Sequence, residues 1–412
     1  MTRVLLRVLA AVVLLAAAVL VGWRVLRPTE LLASASEPWP ARIPVRFGVT
    51  GHTNMAPLIV DDRLRVYASK HQVRADGPAW AETLYTATWS LRRWPEQVSG
   101  VVASGTTVIT RWSDGELVAI DARTGKISWR ADGPKAPAYS GHRTGAEAVW
   151  SPPGLRLTTD TVLVLSNQTL SAYAVSTGAK QWQKPVNCSD GFTTAGGTFV
   201  CSSSTAASTG ATAVDSSDAE ADTPDAGAGT DDAAVGVYDV ATGAAVTSWP
   251  AGPFTAVGCE VASSGCAGFR DSAGQGWLTT SAAPARSTPL DAAGATVAAG
   301  VIISAGDGVL TARNATGVNW TWTGTAQVLG GGSGKIVLCT PDRQLIALDA
   351  STGRVVYDYP LTWLSEKRDW KPGGIQVTPH FVAIERLNGK APDDPTSPIY
   401  YFNLDTVLIA AF

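Results

Sequence analysis

The sequence predicts an all-β fold, a β-propeller of four-stranded antiparallel blades, on three observations. One hairpin pattern is written five times along 412 residues. The glycines that close its turns stand at 125, 178, 243, 317 and 353, and the shortest interval, 317 to 353, is the length of one four-stranded blade. After residue 30 no long segment has helical periodicity, while short apolar runs bounded by turn residues recur. Self-similarity on this scale, with every unit β, is the mark of a solenoid or a propeller.

The hairpin itself is clearest in "LIALDASTGRVVYDYP", Leu345 to Pro360. Leu345, Ile346 and Leu348 line a half-buried strand with small Ala347 between them. Asp349 can accept hydrogen bonds from backbone N–H groups two residues on, closing an Asx-type turn. Gly353 supplies the positive φ of a tight turn, which a residue with a Cβ resists. A strand ending in a large aromatic, Tyr357, follows. "LVAIDARTGKISWRA" repeats the pattern with Asp121, Gly125 and Trp129, and "LSAYAVSTGAKQWQKP" with Gly178 and Trp182. Two degenerate copies carry Asp239, Gly243 and Trp249, and Asn314, Gly317 and Trp320. The tryptophans read as wedges that bury large apolar area against the next blade.

The longer glycine intervals hold extra material. Residues 202–234 form a Ser/Ala/Thr/Asp tract with seven acidic residues, Asp215 to Asp232, and no basic one. Such a tract has too little apolar surface to offset the entropy of ordering and is expected to be disordered. The segment 256–290 reads as a blade without the motif. Residues 56–95 and 364–412 have strand patterning without a Thr-Gly turn and read as the first and last blades. Eight blades result, or seven if 256–290 is irregular.

The N-terminus places the propeller. An apolar run from Val8 to Trp23 lies between Arg3 and Arg7 on one side and Arg24 and Arg27 on the other. With its flanking Val and Leu residues it approaches the roughly 20 needed to cross a bilayer. Residues 1–27 therefore read as a cytoplasmic tip and transmembrane signal anchor, with the N-terminus cytoplasmic and the propeller extracytoplasmic. The rival is a cleaved signal peptide using the "ASA" at 33–35, which lies beyond two arginines. Residues 28–55, with Pro28, Pro38, Pro40 and Pro44, read as a stem, and 56–412 as the propeller.

Cysteine spacing agrees with an exported domain. Cys188 and Cys201 flank a hairpin and Cys259 and Cys266 flank six residues, so two local disulfides are expected, with Cys339 a buried free thiol. The paired cysteines lack CxxC spacing and histidine neighbours, which argues against a metal site. A net charge of −3 carries no nucleic-acid footprint.

The pattern at Leu117–Trp129 and Leu345–Tyr357 resembles the repeat of the quinoprotein (PQQ-type) propellers, found in quinoprotein alcohol dehydrogenases and in the outer-membrane assembly factor BamB. The resemblance spans roughly residues 56–412. It implies the fold; for the enzymes of the family it implies a calcium ion and a quinone in the central funnel, a catalytic Asp and a ring made by two adjacent cysteines. No adjacent Cys pair exists here. Asp121, Asp239 and Asp349 occupy turn-forming positions, and no catalytic, cofactor-binding or metal-binding residue is assigned. The four histidines are far apart in sequence, and "HRTGAEAVW" around His142 and Glu147 reads as a solvated connection. "LGGGSGK" at 329–335 lacks the Ser/Thr and helix of a phosphate loop.

The expected function is a non-enzymatic, membrane-anchored scaffold that docks other cell-envelope proteins or peptides and needs no cofactor. An envelope sensor of a glycan or small ligand is the alternative, and a quinone- and calcium-dependent oxidoreductase the second.

Overall fold

A computed structural model of the chain describes residues 2–412 apart from 27, 42–45, 81–85, 203–235, 262–264, 315–316, 363–368, 391–393, 395–396, 398 and 403–404. Among the described residues, eight antiparallel sheets follow one another along the chain. Blade 1 opens on Leu58–Val60 and ends on Thr86–Trp94; blade 2 runs from Val98–Ser104 to Lys126–Ala131, and blade 3 from Leu155–Leu157 to Lys180–Pro185. Blade 4 begins at Asp190–Thr193, blade 5 at Thr255–Val257, blade 6 at Thr296–Ala298, blade 7 at Gln327–Gly332 and blade 8 at Trp370–Val377. The segment 256–290 is a regular blade of four short strands, which settles the count at eight.

Blades pack face to face through their alternating apolar residues. Ile109, Leu117 and Ala119 of blade 2 meet Leu155, Val162 and Val164 of blade 3 with Trp129 and Tyr173 in one buried cluster. Each such Leu, Ile or Val side chain contributes about 1.5–3 kcal/mol by leaving water.

The ring closes through the N-terminal part of the chain. Gly48–Thr53 pairs with Val407–Ala411 and is the outermost strand of blade 8, whose other strands come from the C-terminal end. On the inner side the Gln376 amide clasps Ile59 of blade 1: Ile59 N–H donates to Oε1 at 2.8 Å, and Nε2 donates to the Ile59 carbonyl at 3.3 Å. Asp62 of blade 1 accepts from the Thr378 hydroxyl and pairs with His380 Nδ1 at 2.8 Å. Sharing one sheet between distant parts of the chain removes an open β-edge at the seam.

This corrects the reading of 28–55 as a stem. Besides Gly48–Thr53, the strand Thr29–Ala33 pairs residue for residue with Ser90–Trp94 and makes blade 1 five-stranded. Pro38 and Pro40 fall between the two strands, where no ladder N–H is needed.

Blade 4 departs from four strands. It has Asp190–Thr193, Thr198–Ser202 and Val237–Asp239, with an isolated bridge from Tyr238 to Ala245 in place of the outer strand. The tract expected to be disordered at 202–234 begins at Ser202, the last residue of the second strand; the rest of it lies outside the described residues.

A helix, Thr2–Leu26, precedes the propeller. Its described side chains are those of Arg7, residues 9–19 and Gly22. Among the described residues no helix is long and apolar enough to cross a membrane.

Candidate functional site

The repeated turns are closed from within. Asp349 Oδ1 accepts from the Ser351 and Thr352 backbone N–H groups at 3.0 and 2.9 Å and from their hydroxyls at 2.6 and 2.9 Å. These bonds, the hydroxyls foremost, hold its carboxyl below the usual carboxylate range. Asp239 Oδ1 accepts from Thr242 N–H and hydroxyl, and Asp121 from Arg123 N–H and the Thr124 hydroxyl. Gly125, Gly243 and Gly353 then donate N–H to the carbonyl of their aspartate at 2.8 Å; Gly178 donates to Ala174.

The same glycines receive the tryptophan of the preceding blade. Trp129 Nε1 donates to the Val175 carbonyl at 2.8 Å, and a Cβ on Gly178 would stand 2.4 Å from its Cε3. Trp182 donates to Val240 above Gly243, and Trp320 to Ala350 above Gly353, both at 2.9 Å. Trp89 of blade 1 does the same to Ala122 above Gly125. The glycine is thus required twice: φ near +70° suits it, and its bare Cα is the seat of an indole ring.

A second feature seats the ring from behind. Trp89, Trp129, Trp182, Trp320 and Tyr357 each lie opposite an alanine, respectively Ala75, Ala119, Ala172, Ala312 and Ala347. A register shift in the same strand pair accompanies each of them, and the bulge re-aims the aromatic toward the next blade.

Two repeat residues are placed differently. Among the described residues no atom lies within 4 Å of the Cβ position on Gly317 and no indole docks there, and its N–H donates to Asn314 Oδ1 at 3.1 Å. Trp249 stacks on Phe269 at 4.7 Å and donates to Ala282, because blade 5 offers no Thr-Gly turn.

The connection between blades 2 and 3 is more than a solvated loop. Its short helix Ala146–Trp150 buries Ala148, Val149 and Trp150 against the first strands of blades 2 and 8. Trp150 Nε1 donates to Pro57 at 2.8 Å, and the Thr144 hydroxyl donates to buried Glu385 Oε1 at 2.7 Å. Glu385 also accepts from Gly374 N–H. Burial pushes its carboxyl up, against the bonds from Thr144 and Gly374 and the charge of His142. His142 itself stands 3.6 Å from Glu147, both more than a third exposed. Among the described residues, no group of three His, Cys, Asp or Glu is placed to hold a metal ion.

A cleft lies across blades 5, 6 and 7. It has a volume of about 400 Å³ and is lined by Gly258, Leu278, Val297 and Ile302, with Glu260 and Arg313 as its charged residues. Glu260 accepts from Gly331 N–H at 3.3 Å, and burial pushes its carboxyl up. Such a cleft can admit an apolar group carrying one polar or cationic end.

Buried arginines went unread in the sequence. Arg111, fully buried in "VITRW", donates to the carbonyls of Pro134, Lys135, Pro153 and Gly154 and so ties both ends of the blade 2–3 connection. Burial lowers its pKa to about 10. Half-buried Arg156, Arg270 and Arg343 likewise bind backbone carbonyls, those of Gly191, of Leu290 and Ala292, and of Pro341 respectively. A lone arginine inside an apolar run was the available signal.

Cys188 is bonded to Cys201 and Cys259 to Cys266, while Cys339 is free and buried. Burial pushes its thiol up to about 11.

Residues 33–221 match a family model described as outer membrane protein assembly factor BamB. Over those residues, somewhat under half of its length, the chain resembles the BamB family of PQQ-type repeats. No curated protein matches it in sequence. Among solved structures, BamB from Moraxella catarrhalis is similar at 15% identity, covering 93% of this chain and 99% of that one, with a TM-score of 0.42. The computationally designed Ika8 protein aligns at 11% identity over 88% and 99% of the two chains, TM-score 0.47. Sqt1 of Saccharomyces cerevisiae aligns at 9% identity over 89% and 97%, TM-score 0.43. In this propeller the repeat residues Asp121, Asp239, Asp349, Trp129 and Trp182 are engaged within and between blades, which leaves connections, clefts and strand edges as its free surface.

Proposed function

We propose that this protein is a non-enzymatic scaffold of the cell envelope, held in the membrane by Thr2–Leu26, whose propeller docks envelope proteins or peptides outside the cytoplasm. The observation that carries the reading is the engagement of the repeat. Where every docked indole and turn aspartate is bonded within the ring, what is left to recognise a partner is the broad surface of connections and edges. The match of residues 33–221 to the BamB assembly-factor model supports the same class of function. Membrane anchoring draws on the apolar run Val8–Trp23 between arginines, and on Leu9, Leu14, Leu15 and Val19, exposed at 62–71% and uncovered by the propeller.

The cleft at Glu260 favours a second reading, an envelope sensor that binds a small ligand or a glycan end. One set of measurements separates the readings. The scaffold reading expects envelope proteins in a pull-down from membranes, and neither bound-quinone absorbance nor dye reduction when purified protein is given quinone and calcium. Saturable glycan binding with an empty pull-down would favour the sensor. Dye reduction would favour a quinone-dependent oxidoreductase.

A further inference from the structure

We infer that the propeller is held edge-on to the bilayer by blade 1, with Thr29–Ala33 as its membrane-proximal rim and Leu31 at the lipid surface. The inference rests on the membrane-anchor reading and adds an orientation to it. Only Arg27 and Pro28 separate the end of the helix at Leu26 from the strand that begins at Thr29. Two residues and their flanking bonds span at most about 10 Å. If the helix lies in the bilayer, the rim of blade 1 therefore lies at its surface.

The strand is fastened too firmly to act as a hinge. All five of its residues are in register with Ser90–Trp94. Glu30 joins an ion network that crosses to blade 2: Arg93 reaches Glu30 at 3.4 Å, Asp114 at 2.7 Å and Glu116 at 2.8 Å, while Arg130 holds Glu30 and Glu116 together. Ala35 N–H donates to the Thr124 carbonyl at 2.9 Å, continuing the attachment to blade 2.

The rim has the chemistry of a lipid–water interface. Leu31 is 63% exposed at the sheet edge, Leu32 is 40% exposed, and exposed Arg92 is the cross-strand partner of Leu31. A long cation such as Arg92 beside an exposed leucine can lay its stem along lipid while its head stays at the phosphates. A protein strand added to this open edge is the competing occupant; the two-residue link to the helix decides for lipid.

The test uses the full chain reconstituted in nanodiscs of phosphatidylcholine and phosphatidylglycerol containing a headgroup spin-labelled lipid. A fluorophore is attached to Leu31→Cys, Arg92→Cys or, as the distant position, Val318→Cys in the last strand of blade 6. Quenching at positions 31 and 92 several-fold stronger than at 318 is the expected result. Two near-side positions guard against a local distortion at either one. Equal quenching at all three, with the protein still riding on the discs, would overturn the fixed attitude and leave the anchor standing. Protein that elutes apart from the discs would overturn the anchor and the orientation with it.

Discussion

Trp129 of blade 2 donates its indole N–H to the Val175 carbonyl of blade 3 at 2.8 Å, with its ring on the bare Cα of Gly178. Gly178→Ala should therefore cost more than backbone strain. The alanine must hold φ near +71° and displace a ring atom 2.4 Å from its Cβ, for a combined loss of about 3–5 kcal/mol, close to that of Trp129→Ala. Gly300→Ala is the control: φ there is +79° with open space around it, so about 1–2 kcal/mol is expected. Denaturant midpoints for the three variants check the order.

Asp349→Asn should be mild near neutral pH, because one oxygen, Oδ1, takes all four turn hydrogen bonds and the amide keeps that oxygen. The difference emerges in acid. A carboxyl held below its usual range stabilises the fold above its unfolded-state pKa and loses that contribution as pH falls through the depressed value. Wild type should lose stability relative to Asp349→Asn on acidification, and urea midpoints taken downward from neutral pH measure it. Asp349→Leu, with no acceptor, should be the weaker fold at every pH.

The Thr144–Glu385 contact should give the opposite slope. Burial raises the Glu385 pKa, so its contribution is present below the unfolded-state pKa and is lost as pH rises through the higher folded value. Thermal melts from the carboxylate range to neutral pH should show a falling limb in wild type. Glu385→Gln should flatten it, since the amide oxygen still accepts from Thr144 without a charge to bury.

Thiol chemistry should find one cysteine, and only after unfolding. Cys339 is buried with a thiol pushed up to about 11, so alkylation of the native protein in mild base should leave it unmodified. Denaturation without reductant should then expose one reactive thiol, and peptide mapping should recover Cys188–Cys201 and Cys259–Cys266. Any peptide linking Cys339 to another cysteine contradicts the structure.

Blades were legible where their signal is local. The Asp-x-x-Thr-Gly turn and the aromatic after it sit within a dozen residues, so Gly125, Gly243 and Gly353 could be read as turns and Trp129 as a wedge. That the wedge lands on the next blade's glycine was not readable, because Trp129 and Gly178 are separated by the blade 2–3 connection and the first three strands of blade 3 itself. Trp89 escaped notice because its own blade has no Thr-Gly turn. Closure was misread for the same reason at longer range: "GVTGHT" at 48–53 finds its partner at 407–411, and the prolines between 38 and 44 gave the segment the look of a stem. The Glu385 contact depends on Thr144, which reaches it from a connection two blades away around the ring. A glutamate in the apolar strand "FVAIERLN" was its only local trace.

The most direct test of the scaffold is photo-crosslinking in intact cells, with a crosslinking amino acid placed at exposed positions such as Arg143 in the blade 2–3 connection or Asp307 in a hairpin turn of blade 6 and, as a reference, at Lys126 on a blade rim. The expected result is a small, reproducible set of envelope proteins captured from connection or turn positions, retained by Asp349→Asn and lost with Trp129→Ala only in step with loss of the folded protein. Contradiction would be capture of nothing from any position by a folded, correctly located propeller, or loss of capture by Asp349→Asn with its melting unchanged, which would make the repeat aspartates part of a site.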